Sequence, residues 1–282
     1  MSDRPLLLAD APFQLYRAFF GLPDSIKGAG GRPVNALLGS VNQLLWAIEN
    51  HDPRAVVMCF GLESALYREQ AYPPYHAQRD PMPDDLAHQW SLAPALYEAL
   101  GWTVVDTDEL EADDLMGSLA AAEEAAGGRA LILTGDRDMF QCATERVHVL
   151  LQQRGKDPEP YGPEQVVKRY GVAPELVPDF IALRGDPSDG IPGAKGIGEK
   201  TAAELLRVRG GLEAVIDGAI RERPGVRKAL IDQADELRMF RDLATLRRVD
   251  LPLPDDAETD RTRGAEAAES LGMRRLAERL RT

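Results

Sequence analysis

Short apolar runs alternate with longer stretches of helical period through the first half of the chain, and that alternation predicts its architecture. Residues 6–9 are Leu-Leu-Leu-Ala, closed by Asp10 and then Ala11-Pro12, which reads as a buried strand ending in a carboxylate and running into a turn. A glycine-rich loop at 28–31 precedes helical periodicity over 33–50 and a second apolar strand over 54–60. A helix over 84–100 leads to a third strand at 102–105. Glu111-Ala112-Asp113-Asp114 then opens an Ala-rich helix to about Ala126, which Gly127-Gly128 stops. The fourth strand spans 130–134 and runs into Gly135-Asp136-Arg137-Asp138; the fifth spans 147–152. Residues 154–160 read as a turn-rich connection in which no further strand is expected. Repeated strand–helix–strand units predict an α/β fold with a mostly parallel central sheet flanked by helices, whose functional groups gather at the carboxyl ends of the strands.

From Gly162 onward the pattern is helix and turn alone. Helices are predicted over 163–170, 174–184 and 202–207, with more to about residue 248, a Pro/Asp loop near 252–256 and a terminal helix. The expected division is 1–160 for the α/β core and 161–282 for a helical region. Within the core, 61–83 has no clear period but carries Tyr67-Arg68, Tyr72-Pro73-Pro74-Tyr75-His76 and Arg79. Aromatics interleaved with bases suit stacking on nucleobases and contact with phosphates; they equally suit a surface loop whose tyrosines pack locally.

Composition adds compartment and partner class. Hydrophobic residues make up 44% and charged residues 28% of the 282 residues, as in globular proteins. No apolar run reaches the length of a membrane span and the N-terminus lacks a signal peptide's apolar core, so a cytoplasmic, nucleoid-associated protein is expected. Cys59 and Cys142 fall in apolar runs without metal-ligand spacing and read as reduced core residues. The net charge of −13 counts against phosphate binding by the chain as a whole, yet residues 195–248 hold twelve Lys/Arg against nine Asp/Glu. That local excess fits either a duplex-binding face or a solvated helical surface.

Acids at strand ends and helix starts carry the chemistry. Asp10, Glu111, Asp113, Asp114, Asp136, Asp138, Asp186 and Asp189 all fall on the presumed carboxyl rim. Acids at a helix start also complement its dipole and can cap it, which would by itself account for 111–114. A converging set of carboxylates instead takes up protons or binds hard cations through oxygen. With no His or Cys in the set, Mg²⁺ or Mn²⁺ is indicated over zinc. Two-metal hydrolysis of phosphodiesters suits such a cluster.

At these residues the chain resembles the bacterial 5′→3′ exonuclease and flap endonuclease family. The resemblance is carried by Leu8-Ala9-Asp10 with Leu15-Tyr16-Arg17-Ala18-Phe19, by Glu111-Ala112-Asp113-Asp114, by Ile132-Leu133-Thr134-Gly135-Asp136-Arg137-Asp138, and by Gly185-Asp186-Pro187-Ser188-Asp189 through Gly196-Ile197-Gly198. It runs in order from about residue 5 to 250 and is similar to the N-terminal nuclease domain of DNA polymerase I, here expected to be free-standing. The resemblance implies a 5′ nuclease/PIN-like fold with a helix-three-turn-helix at about 184–207 and an arch at about 61–95. It implies one metal among Asp10, Glu111, Asp113, Asp114 and Asp136, and a second among Asp138, Asp186 and Asp189. Arg68, Tyr75, His76 and Arg79 stand where the family has catalytic arch residues. Main-chain carbonyls of Leu183, Arg184, Pro192, Ala194 and Ile197 match a potassium site, and Tyr16, Arg17, Lys195, Gly196, Gly198, Lys200 and Thr201 match DNA contacts. The implied substrate is DNA with a 5′ flap or a 5′ end next to duplex, cut by a monomer in replication and repair.

Two positions depart from the family pattern. Gly61 replaces an Asp after the second strand, and His76 replaces a Lys after Tyr75. A missing ligand predicts weaker metal binding that an Asp at position 61 would restore, and a neutral His holds phosphate less firmly than Lys. These departures leave open an attenuated or non-catalytic member that binds DNA junctions.

Overall fold

The computed structural model describes residues 3–282. Six strands form one sheet: β1 (Leu6–Asp10), β2 (Ala55–Cys59), β3 (Thr103–Val105), β4 (Ala130–Thr134), β5 (Val147–Leu151) and β6 (Glu159–Tyr161). Their order is β3-β2-β1-β4-β5-β6, parallel from β3 to β5, with β6 antiparallel at the edge. β6 begins inside the stretch, 154–160, expected to be only a connection, and runs one residue past it. It is three residues long with Pro160 at its centre, so neither alternation nor β propensity marks it, and an edge is where a sheet admits proline.

Helices cover both faces of the sheet. They are α1 (Ala11–Gly21), α2 (Asn35–His51), α3 (Leu66–Ala71), α4 (Asp84–Ala99), α5 (Ala112–Ala125), α6 (Pro163–Tyr170), α7 (Val177–Arg184), α8 (Glu199–Arg209), α9 (Leu212–Asp217), α10 (Pro224–Asp232), α11 (Ala234–Ala244), α12 (Arg261–Ser270) and α13 (Arg274–Arg281). α1 begins directly after β1, where a turn was expected. Asp10 caps it by accepting the Phe13 amide at 2.9 Å, and Pro12 falls in the first turn, where its missing N–H costs nothing. The helix expected over 174–184 divides into a 3₁₀ turn at Pro174–Leu176 and α7.

Strand residues alternate between two cores. Leu6, Leu8, Val57, Ile132 and Val149 face α5 and the helices α6–α11, while Leu7, Met58, Leu131, Leu133 and Leu150 face α1, α2 and α4. Ala265, Ala268, Met273, Leu276, Ala277 and Leu280 belong to the second core. This corrects the expected division: α12 and α13 pack on the far side of the α/β body, not with the helices after Gly162. The amphipathic face of α13, whose polar side is nearly all Arg and Glu, explains the burial but does not say which surface it covers.

The arch expected at 61–95 is also smaller than its range. α4 is a core helix with Leu86, Ala93, Leu96 and Tyr97 buried, which leaves α3 and the turns from Tyr72 to Pro83 above the sheet. Among the described residues no helix is long and apolar enough to cross a membrane.

Candidate metal centre and nucleic-acid interface

The strand order reverses between β1 and β4, so their carboxyl ends open a crevice with no crossover above it. Asp10 ends β1 and Asp136 follows β4, one on each lip. Thr134 joins them: its hydroxyl donates to Asp10 Oδ2 at 2.8 Å and accepts the Asp136 amide at 3.1 Å. Asp136 Oδ1 in turn accepts the Asp138 amide at 2.7 Å, turning the chain into a 3₁₀ segment. Asp136 and Asp138 thus meet the crevice through a tight turn and not, as a spacing of two suggests, along an extended strand.

A cavity of about 1030 Å³ fills the crevice, and Asp10, Glu111, Asp113, Asp136, Asp138 and Asp186 line it together with Glu63, Asp80, Arg79, Arg137 and Arg184. Burial raises the affinity of Asp10, Asp113, Asp136 and Asp138 for protons, and neighbouring carboxylates add to it at the last three. Asp136 is pushed up to about 7, first by burial and then by the charge of Asp189, against the pull of the Asp138 amide. Asp113 lies well above the carboxylate range through burial and the charges of Asp136, Asp10 and Glu111; Asp138 does so through burial and Asp136, Asp189 and Asp186. Asp10 is raised by burial, opposed by its bonds from Phe13 and Thr134. This donor set is entirely carboxylate oxygen and holds more negative charge than its arginines offset, so it suits hard divalent cations.

The acids ring the cavity without converging on one point: among the described residues no three of His, Cys, Asp and Glu stand close enough to hold an ion directly. The two compact ligand sets implied by the family resemblance are therefore not preformed. Mg²⁺ keeps several of its waters and needs only one or two carboxylates directly, which a ring of this kind can supply.

Two of the expected metal acids stand outside the cavity lining. Asp114 is fully buried behind it, with both oxygens on Arg68 at 2.9 Å. Asp189 is turned toward the arch, its Oδ1 3.0 Å from His76 Nε2 and 3.7 Å from Arg79. Charge patterning alone could not separate these two from the rest, because all eight share residue type and rim position.

The arch residues are likewise split. Arg68, expected among the catalytic bases, is 2% exposed and spent on Asp114, on Glu111 at 3.2 Å and on the Leu243 carbonyl at 3.1 Å. It does not reach the cavity. Tyr75 donates to Glu111 Oε2 at 3.1 Å and stacks on His76 at 3.8 Å between ring centroids. His76 Nδ1 lies 3.1 Å from the Glu63 carbonyl oxygen, to which Arg79 also donates at 2.7 Å. Arg79 alone of the four lines the cavity; Tyr75, His76 and Arg79 line an adjoining one of about 790 Å³ under the turns. Glu63 was not foreseen as a site residue. Its carboxylate takes the Tyr16 hydroxyl and its carbonyl holds two arch side chains, and no spacing in the sequence marks it.

At the expected DNA contacts, Tyr16 lines the cavity while Arg17 turns away to the Gln153 carbonyl at 3.1 Å. Lys195, Gly196 and Gly198 are exposed on the turn into α8, and in its first turn Lys200 is exposed and Thr201 half-buried. The Lys195 amide is anchored on Gln233 Oε1 at 2.8 Å, which ties that turn to the start of α11. At the expected potassium carbonyls, Leu183 already accepts the Ala194 amide at 2.9 Å and Ala194 accepts Ile197 at 3.0 Å. Gly185 and Gly193 both have left-handed φ, and a Cβ on Gly193 would lie 2.8 Å from the Arg184 carbonyl oxygen, so only glycine lets these carbonyls approach.

Two family models match this chain in succession. Residues 5–171 match the 5′-3′ exonuclease N-terminal resolvase-like domain and residues 172–268 the 5′-3′ exonuclease C-terminal SAM fold. The chain belongs to the 5′-3′ exonuclease family. It is 38% identical to DNA polymerase I of Mycobacterium tuberculosis over 256 residues, covering 90% of this chain and 28% of that protein. It is also 38% identical to the thermostable DNA polymerase I of Thermus thermophilus over 278 residues, covering 98% of this chain and 32% of that one. The chain thus spans about a third of the length of these relatives. The fold is that of the bacteriophage T5 5′-exonuclease solved with zinc bound (TM-score 0.69, 16% identity, 98% and 97% coverage). It is also that of the Rad2 catalytic core in complex with DNA substrate (TM-score 0.65, 14% identity, 99% and 93% coverage).

Proposed function

We propose that this member of the 5′-3′ exonuclease family is a divalent-metal-dependent, structure-specific 5′ nuclease that hydrolyses phosphodiesters at 5′ flaps and 5′ ends of DNA. The observation that carries this reading is the cavity at the β1/β4 switch point, where eight carboxylates and only three arginines line one space. Asp10, Glu111, Asp113 and Asp136 would hold one Mg²⁺ or Mn²⁺, and Asp138 and Asp186 a second. Such ions, when bound, make hydroxide available at neutral pH and neutralise charge on the leaving oxygen.

The chain's own residues do the rest. Thr134 fixes the Asp10 and Asp136 carboxyls relative to each other, so the two lips of the crevice present a defined spacing. Arg79 and Arg137 face the same space and suit the phosphates flanking the scissile bond. Tyr16 and Phe13 give the cavity an aromatic wall against which a terminal base can stack. The exposed turn from Lys195 to Thr201 would grip duplex backbone without reading sequence. K⁺ on the carbonyls of Leu183, Arg184, Pro192, Ala194 and Ile197 would reinforce that turn.

Incubation with a 5′-flapped duplex and Mg²⁺ or Mn²⁺ should release the flap, and Asp136→Asn should abolish release. A second reading, a DNA-junction binder with attenuated chemistry, is favoured by the engagement of His76 with Asp189 on the arch. Tight flap binding without metal-dependent cleavage would establish it in place of the first.

A further inference from the structure

Asp114 shares its tetrapeptide with Glu111 and Asp113, but its surroundings differ from theirs. It is fully buried, and five donors converge on its two oxygens. Oδ1 accepts Arg68 Nη2 at 2.9 Å and the Arg247 amide at 2.8 Å. Oδ2 accepts Arg68 Nη1 at 2.9 Å, the Tyr67 hydroxyl at 3.3 Å and the Glu111 amide at 3.3 Å. A carboxylate offers about four lone-pair sites, so none is left for a cation. The donors come from three places that are distant in sequence: α3 at the foot of the arch, the start of α5, and the chain just beyond α11.

We infer that Asp114 is not a metal ligand but a positioning residue, the hub through which the helical region's grip on duplex sets the geometry of the carboxylate cavity. Three further links support this. Arg68, held by Asp114, also donates to the Leu243 carbonyl in α11 and pairs with Glu111, which lines the cavity. Ser118, one turn beyond Asp114, accepts the Val249 amide at 3.0 Å, and the Arg247 guanidinium sits 3.2 Å from the Tyr67 ring centroid. α11 packs on α7, whose last residue, Arg184, pairs with Asp186 at 2.9 Å on the opposite wall. One helical body therefore holds Asp186 directly and Glu111 through Asp114 and Arg68. A displacement of that body on meeting duplex moves both walls of the cavity.

The inference rests on the nuclease reading, and it makes metal and duplex binding mutually dependent: each raises the other's affinity by the same factor. Calorimetric titration of the protein with Mn²⁺, alone and with a saturating closed-dumbbell DNA duplex that offers no 5′ end, measures that factor. The wild type should bind Mn²⁺ about fivefold or more tightly when the dumbbell is present. Asp114→Asn should keep the wild-type Mn²⁺ stoichiometry, whereas Asp136→Asn should lower it. The paired replacement Arg68→Met with Asp114→Leu removes both buried charges at similar volume. It should bind Mn²⁺ and dumbbell separately within about twofold of wild type, with the coupling factor near one. If that variant does not fold, Tyr67→Phe, which deletes one donor to Asp114, should cut the factor by at least half. Loss of Mn²⁺ stoichiometry in Asp114→Asn would make Asp114 a ligand and overturn the inference. So would a wild type without coupling, or coupling that survives in the variants. A chain that binds neither Mn²⁺ nor dumbbell overturns the nuclease reading itself, while independent binding of both overturns only the coupling.

Discussion

A Cβ built on Gly61 would lie 2.5 Å from the amide nitrogen of Ala112, with the Glu111 carbonyl carbon at 2.6 Å and the Leu110 oxygen at 2.8 Å. The chain leaving β2 and the chain entering α5 touch backbone to backbone, and Leu62 donates to the Leu110 carbonyl at 2.9 Å beside the contact. The sequence-based expectation that Gly61→Asp would supply a missing ligand is therefore replaced by its opposite. Because backbone and not a flexible side chain occupies the space, Gly61→Asp and Gly61→Ala should both destabilise the fold by roughly 1–3 kcal/mol or more, and neither should tighten Mn²⁺ binding. Thermal unfolding with parallel Mn²⁺ titration checks this. An Asp variant as stable as wild type and tighter for Mn²⁺ would show that the α5 start can withdraw.

The raised proton affinity of the cavity acids sets a pH dependence. Asp136 titrates near 7 in the folded protein against an ordinary value of 3.8, so between these limits the folded form carries a proton that the unfolded form has lost. Stability from this group is therefore greatest at low pH and falls as pH rises toward 7, and Asp10, Asp113 and Asp138 act in the same direction. Divalent cations compete with those protons. Chelator-treated protein should melt several degrees lower at pH 8 than at pH 5.5, and Mg²⁺ should restore much of the difference at pH 8 while doing little at pH 5.5. Calorimetric melts of the wild type and Asp136→Asn test the assignment, since the variant should show the smaller pH effect.

How much of this was legible in the sequence depends on the kind of signal each residue leaves. The five parallel strands and most long helices follow from apolar periodicity and glycine stops, and the crevice follows from Asp10 and Asp136 standing at strand ends. β6 was missed because three residues around a proline carry no alternation. Asp114 and Arg68 lie outside the cavity lining for a different reason. A buried ion pair and a metal-facing acid use the same residue types at the same spacing, and only the Leu243 carbonyl that accepts from Arg68 and the Arg247 amide that donates to Asp114, more than a hundred residues away, tell them apart. Gly61 has a related ambiguity, because a glycine in sequence reads as an absent side chain and in space can be a required backbone contact.

Among the described residues, Arg54 and Glu123 form the most enclosed ion pair outside the site, with side chains 10% and 5% exposed and two bonds at 3.0 and 2.7 Å. Arg54 also donates to the Pro254 carbonyl and to Asp256, so one guanidinium ties β2, α5 and the strap leading to α12. Glu123→Ala leaves a buried guanidinium with only partial compensation and should cost about 3–5 kcal/mol. Asp256→Ala, at the exposed end, should cost no more than about 1 kcal/mol. Denaturant unfolding of both variants measures the contrast, and equal losses would mean that the strap, not the buried pair, carries the stability.

Lys195 and Lys200 decide whether the local positive excess binds DNA or merely solvates a helical surface. Both are exposed, Lys195 on the turn into α8 and Lys200 in its first turn, and the N-cap Gly198 contributes no side-chain cap, so the first amides of α8 are left open to a phosphate. Neither lysine has an acidic partner among the ion pairs of the described residues, whereas Arg238 and Arg241 are engaged by Glu213. A cation already paired must give up its partner before it can take a phosphate, so the lysines are the better candidates within this region. Every phosphate that a lysine no longer neutralises should lower the slope of log affinity against log salt by about 0.9. Replacing both lysines with Ala should therefore weaken dumbbell binding and flatten that slope by about one to two, while Arg238→Ala should leave the slope nearly unchanged. Fluorescence anisotropy across a salt series reads both quantities. An unaltered slope in the double lysine variant would return the turn to the role of a solvated surface and place the duplex grip elsewhere on the helical region.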